Sequence, residues 1–151
     1  WHAGRTPIAI HPGSGGQNKK WPLERWLSLA NHFLDRGETL LVIAGESDQL
    51  ELAELRTLLA GRDVQFAEQL PLPLLGAVLT GCRLFMGHDS GISHLAAAAG
   101  TPCILLFGPT DPAVWAPANR GVRIIAAPTQ HMGDITLDSV LTMADLLITN
   151  A

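Results

Sequence analysis

Gly87-His88-Asp89-Ser90-Gly91-Ile92-Ser93-His94 is a small, polar run set between two apolar stretches. Ahead of it Leu84-Phe85-Met86 reads as a buried strand; behind it Leu95-Ala96-Ala97-Ala98-Ala99 reads as a helix. The order is strand, tight turn, helix N-terminus. The first N–H groups of a helix have no partner within it, and the dipole adds partial positive charge there. Such a terminus seats a phosphate. Asp89 would not favour an anion, so its chemistry is to accept hydrogen bonds from sugar hydroxyls. A phosphate seat beside a hydroxyl acceptor points to a nucleotide-sugar.

A second set of candidates lies earlier. Pro12-Gly13-Ser14-Gly15-Gly16-Gln17-Asn18 reads as a flexible loop that runs into Lys19-Lys20. Its glycines let the backbone approach a ligand closely. The lysines either neutralise a diphosphate or stand solvated, as most lysines do. The loop is not a P-loop, because no Gly-Lys-Ser/Thr follows the first glycine at the required spacing. Nor do Gly13, Gly15 and Gly16 match the dinucleotide fingerprint. Glu46, just past an apolar strand, either accepts from ribose hydroxyls or is an acid at a helix start. His94, one turn into its helix, either donates to a phosphate or packs on the loop.

Other chemistries fit less well. A nucleophile elbow needs Gly-x-Ser-x-Gly, and Ser90 comes one residue too late after Gly87. No Cys/His/Asp cluster has metal-ligand spacing, so no metal is expected. Trp115 is expected to pack its loop rather than stack on a ligand. Cys82 and Cys103, both at the edges of apolar segments, are expected to be buried free thiols in a reducing compartment.

Elements of one kind are needed to hold these loops. Strands are expected at residues 7–11, 39–44, 64–66, 83–86, 102–107 and 122–125. Helices should open at Trp21-Pro22, with Pro22 near the first helical position, and at Ser47 as a cap. Further helices are expected over 73–80 and 92–99, and one capped by Thr136. Leu23, Trp26, Leu27, Ala30, Phe33 and Leu34 form one helical face, and Leu52, Leu55 and Leu59 another. Gly37 and Gly61 close these two helices. Strands alternating with helices make an α/β fold: a Rossmann-like parallel sheet of about six strands with helices on both faces. Ligands bind outside the carboxyl ends of such strands. The loops at 12–20, 45–47 and 88–90 all open there.

The bulk numbers agree. The 151 residues suffice for one domain with a sizeable core. Apolar residues make up 47% and charged residues 16%, so the chain is globular. Ten Lys+Arg against fourteen Asp+Glu give a net charge of −4 with no basic stripe, which argues against nucleic acid. No apolar run reaches the ~18 residues of a membrane span. The start has no secretory character, and Trp1 in place of Met points to a piece of a longer protein.

Taken in order, His11-Pro12-Gly13-Ser14-Gly15, Lys19-Lys20-Trp21-Pro22, Gly45-Glu46, Asp89-Ser90-Gly91-Ile92-Ser93-His94-Leu95-Ala96-Ala97, Gly108-Pro109-Thr110-Asp111-Pro112 and Trp115 with Pro117 resemble glycosyltransferase family 9. This is the lipopolysaccharide heptosyltransferase family, and the resemblance runs from Pro7 to Ile148. It implies the C-terminal, donor-binding half of a two-domain GT-B fold, with the acceptor domain outside this chain. It implies that Ser14 and Gly15 contact the phosphates, Lys19 the diphosphate and sugar, Glu46 the ribose, and the Leu70 backbone the adenine. Asp89 would hold the transferred sugar, and Ser90, Gly91 and His94 the diphosphate.

The implied reaction is inverting transfer of a heptose or related sugar from ADP-sugar to a lipopolysaccharide-core or similar glycan acceptor. Lys19 and Asp89 carry the catalysis on this side, and a general base lies in the other domain. No cofactor is implied beyond the donor. The implied location is cytoplasmic, at the inner membrane face. The isolated chain is expected to bind donor without completing transfer. Its final helix is expected to pack against the other domain. Two departures stand out. The cysteine-rich insert of many members is absent at 127–132, and His88 stands where a small or amide residue is more usual. Alternatives left open are a UDP-sugar GT-B epimerase or transferase, a stand-alone nucleotide-binding module, and a purely structural domain.

Overall fold

The computed structural model describes residues 5–149. Six strands alternate with helices: β1 (Ile8–Ile10), α1 (Leu23–Asp35), β2 (Leu40–Ala44), α2 (Gln49–Leu58), β3 (Val64–Glu68), α3 (Leu72–Thr80), β4 (Leu84–His88), α4 (Gly91–Ala98), β5 (Cys103–Phe107), α5 (Pro112–Trp115), β6 (Val122–Ala126) and α6 (Leu137–Thr149). The strands form one sheet in the order β3-β2-β1-β4-β5-β6. Every neighbouring pair is parallel. β6 is an edge strand, as its mixed sequence predicts.

The pleat sorts side chains between two layers. Ile8, Ile10, Leu40, Val42, Leu84 and Met86 face α1, α2 and α6, meeting Trp26, Phe33, Leu55 and Val140. Ala9, Leu41, Ile43, Phe85, Cys103 and Leu105 face α3 and α4, meeting Leu75, Leu79, Ala96 and Ala97. Both faces are covered, which is why the central strands are continuously apolar and not alternating. α1 buries Trp26, Ala30, Phe33 and Leu34 of its expected stripe and adds Leu29.

Helix ends follow local chemistry. Gly37 (φ 78) and Gly100 (φ 81) close α1 and α4 with the same paired bonds. Glu38 N–H donates to Phe33 O and Gly37 N–H to Leu34 O; Thr101 N–H donates to Ala96 O and Gly100 N–H to Ala97 O. Only glycine adopts that left-handed conformation without strain. Thr136 Oγ1 accepts from Ser139 N–H and caps α6.

Pro22 sits directly before the first helical residue of α1, near the expected position, and its carbonyl accepts from Arg25 and Trp26 N–H. Three expectations need correction. Ser47 does not cap α2: residues 46–48 form a 3-10 turn, Asp48 precedes the helix, and its carboxylate faces inward instead. The loop after β1 is not wholly irregular, since Gln17–Lys19 is a 3-10 turn. Trp115 is 56% exposed and does not pack its loop, because a four-residue helix is too short to fold it back.

Candidate functional site

The strand order reverses between β1 and β4: β2 and β3 lie on one side, β5 and β6 on the other. At such a switch point the loops leave the sheet in opposite directions and open a crevice at the strands' carboxyl ends. Here that crevice is a cleft of about 560 Å³. It is in the size range of a small-molecule site. His11, Ser14 and Gly15 from the β1 loop line it, with Asp48 from the β2 loop and Ser90, Gly91 and His94 at the start of α4.

A smaller pocket of about 220 Å³ adjoins it and shares Gly45, Leu72 and Ile92. Glu46 and Leu70 line this second pocket. Gln69 beside them has φ 46, left-handed for a residue with a side chain. That conformation costs about 1–2 kcal/mol. Gln69 N–H donates to Ala44 O at 3.0 Å, which holds the turn.

Polar groups of the kind that suit an anion face the cleft from the β1 loop and from the start of α4. Ser90 is the cap of α4, with its Oγ accepting from Ser93 N–H at 3.4 Å. Gly91 and Ile92 supply the first amides of that helix, which precede any intrahelical acceptor. Across the cleft Ser14 is 5% exposed, and its buried Oγ has no hydrogen-bond partner. A buried hydroxyl without a partner is rare and marks a place for a ligand or a water.

The two lysines separate. Lys20 Nζ donates to Glu51 of α2 at 2.5 Å and ties the loop down. Lys19 Nζ donates to Asp89 Oδ2 at 2.8 Å while the lysine side chain stays 31% exposed. Neither Lys19 nor Asp89 lines the cleft or the smaller pocket; their ion pair joins the β1 loop to the residue before Ser90.

Below the rim His88 braces the floor. It is fully buried, its Nε2 accepts from Trp21 N–H at 2.9 Å, and its Nδ1–H donates to Gly13 O at 3.0 Å. Burial pushes its pKa down to about 4, against the opposing pull of the Gly13 carbonyl. A neutral imidazole thus stitches β4 to both ends of the β1 loop. Trp26 meets its ring edge-on at 5.4 Å.

Asp48 belongs to none of the motifs singled out above. Its Oδ2 accepts from His11 Nε2–H at 3.1 Å and from Gly45 N–H at 2.8 Å. The His11 hydrogen bond lowers its pKa to about 2, outweighing the cost of burial. A Cβ on Gly13 would lie 2.0 Å from this carboxylate, so only glycine admits it there. His11 at the end of β1 and an acid three residues after Gly45 were legible as residues, but their meeting depends on the β1–β2 register. Among the described residues no group of three His, Cys, Asp or Glu side chains is placed to hold a metal ion.

The family model for glycosyltransferase family 9 (heptosyltransferase) matches residues 2–143. The chain belongs to glycosyltransferase family 9. It is 28% identical over 138 residues to lipopolysaccharide heptosyltransferase 1 of Escherichia coli O18:K1:H7, covering 91% of this chain and 42% of that protein. It is 35% identical over 106 residues to lipopolysaccharide heptosyltransferase 1 of Pseudomonas aeruginosa, covering 70% and 29%. The chain thus spans less than half the length of these relatives.

Among solved structures, ADP-heptose heptosyltransferase II of E. coli superposes with a TM-score of 0.88 at 25% identity, covering 98% of this chain and 48% of that one. The E. coli heptosyltransferase solved with ADP-2-deoxy-2-fluoro heptose gives 0.81 at 25% identity, covering 97% and 44%. A UDP-GlcNAc 2-epimerase of Methanocaldococcus jannaschii shares the fold alone, at 0.68 and 12% identity. The expected Rossmann-like half of a GT-B family member is the fold found.

Proposed function

We propose that this chain is the donor-binding half of an inverting glycosyltransferase that takes a heptose or related sugar from an ADP-sugar. One observation carries the reading. At the switch point, the amides of α4 and the unpartnered Ser14 hydroxyl face one cleft, and the Lys19 ammonium lies outside its lining, held by Asp89 next to Ser90 in the chain. Two kinds of anion donor facing a pocket large enough for a nucleotide are suited to a diphosphate. The family relatives named above, one of them solved with a fluorinated ADP-heptose, support adenine as the base and heptose as the sugar.

In this reading Ser14, Gly15, Ser90, Gly91 and His94 hold the phosphates. Glu46 takes the ribose, and Leu70 flanks the base in the smaller pocket. Transfer breaks the bond between the anomeric carbon and the diphosphate, and negative charge builds on the departing oxygen. Lys19 and the α4 N-terminus stabilise that charge where it develops. Asp89 accepts from the sugar hydroxyls and orients the anomeric carbon. A carboxylate base from a companion domain deprotonates the acceptor hydroxyl, which attacks from the opposite face.

The acceptor, a lipopolysaccharide core or similar glycan, would be held by that companion domain. The work would then be done in the cytoplasm at the inner membrane face. Among the described residues no helix is long and apolar enough to cross a membrane. The test is calorimetric titration of the chain with ADP, UDP and an ADP-sugar. Binding of ADP and the ADP-sugar in preference to UDP is expected. A preference for UDP would move the assignment to a UDP-sugar enzyme of the same fold, and no binding of any nucleotide would overturn it.

A further inference from the structure

His11 lines the cleft yet is only 3% exposed, and its Nδ1 is buried without a partner. Nε2–H faces Asp48, so in the neutral form the ring presents a bare lone pair at Nδ1. Asp48 is also only 3% exposed and carries its charge into the same cleft. A lone pair and a buried carboxylate form an unfavourable floor for a diphosphate. One proton on Nδ1 reverses both effects: it turns the acceptor into a donor and cancels the Asp48 charge.

We propose that His11 is an additional anion-binding residue of the donor site, held by Asp48, and that it takes up a proton as the diphosphate seats. The inference rests on the nucleotide-diphosphate reading of the cleft. Asp48 fixes the ring through Nε2, and that leaves Nδ1 as the atom that changes state.

The other ionisable groups around the ring do not replace it. His88 from β4 is neutral and has both nitrogens engaged, with Trp21 and Gly13. Lys20 of the β1 loop is paired with Glu51 of α2, and Lys19 with Asp89. His94 of α4 lines the cleft but is exposed.

The experiment is calorimetric titration of the chain with ADP in two buffers of different ionisation heat. It is run at about pH 8, well above the second phosphate ionisation near about 6. Wild type, His11→Gln and Asp48→Asn are compared. The expected wild-type result is net proton uptake on binding. His11→Gln should abolish the uptake and weaken ADP by about ten- to hundred-fold, the range for a hydrogen bond to a charged group. Asp48→Asn should reduce the uptake, because the imidazolium loses its counter-charge.

ADP binding by the wild type without proton uptake overturns the inference and leaves the donor-site reading intact. So does uptake that persists in a folded His11→Gln chain. If the wild type binds no nucleotide, the inference falls together with that reading. Should His11→Gln fail to fold, Asp48→Asn decides: unchanged uptake there also overturns the inference.

Discussion

Lys19 and Asp89 lie 70 residues apart in sequence, yet their side chains meet at 2.8 Å across the loops that follow β1 and β4. The cation proposed to meet the diphosphate and the carboxylate proposed to hold the sugar are thus one ion pair. Each holds the other in place, and each would exchange its partner for part of the donor.

Lys19→Ala should weaken ADP binding by about ten- to hundred-fold, since a contact to a charged group is lost. Asp89→Ala should leave ADP affinity unchanged or raised, and should remove the added affinity of an ADP-sugar over ADP. Asp89→Ala should shift unfolding by no more than about 1 kcal/mol, because the freed lysine reaches solvent, whereas Lys19→Ala leaves a largely buried carboxylate unpaired and should cost more. Titration and thermal melts of the two variants check this. In a complete enzyme, loss of Lys19 should lower the rate by about 10²–10³-fold.

Gly13→Ala should destabilise the chain by about 1–3 kcal/mol, because the new methyl must displace the Asp48 carboxylate. ADP binding should fall with it. Gly15→Ala, with nothing within 4 Å of the added carbon, is the matched control and should melt like wild type. Urea unfolding of the pair makes the comparison.

Acid should cost the chain stability over two pH windows. His88 has a folded pKa of about 4 against an ordinary 6.5, so the unfolded chain binds more protons between those values. Stability is therefore lost as pH falls through that window, by about 3 kcal/mol. Asp48 has a folded pKa of about 2 against 3.8, so its contribution is full above 3.8 and lost as pH falls towards 2. That second loss is about 2 kcal/mol. His88→Asn should be less stable at neutral pH, yet show a flatter stability profile between about pH 6.5 and 4. Denaturant midpoints across that range decide it.

Cys82 and Cys103 should resist thiol reagents in the folded chain. Both are buried, and burial pushes their pKa values to about 11 and 12. The thiolate is the reactive form. Release of colour from an aromatic disulfide reagent should need denaturant; rapid reaction of native protein would contradict the packing.

Much of this was legible before the fold was known, for a physical reason. Strand and helix periods are local, so Leu40–Ala44 and the Leu23–Asp35 stripe identified themselves. Turns after strands in a parallel sheet share one edge, so the loops around Ser14, Glu46 and Ser90 were brought together by topology alone. What stayed hidden depends on register. That His11 reaches Asp48, that His88 spans Trp21 and Gly13, and that Lys20 goes to Glu51 while Lys19 goes to Asp89 are facts about meeting, and spacing does not encode them. Ser47 misled for the same reason. A serine before a helix looks like a cap unless the neighbouring acid is seen to turn inward.

Ile8 pairs with both Leu40 and Leu84, so the middle of the sheet joins the start of the described chain to a strand formed far later. Parallel neighbours need a crossover between them, and the β1–β4 pairing must close over everything wound in between. The entropy of that closure is spent before the contacts repay it. A chain that has wound only β1, β2 and β3 would own the Ser14 wall of the cleft and lack the α4 amides opposite. On the proposed function, nucleotide binding would report docking of β4 and α4 beside β1, and a bound nucleotide would stabilise only chains that have made that pairing.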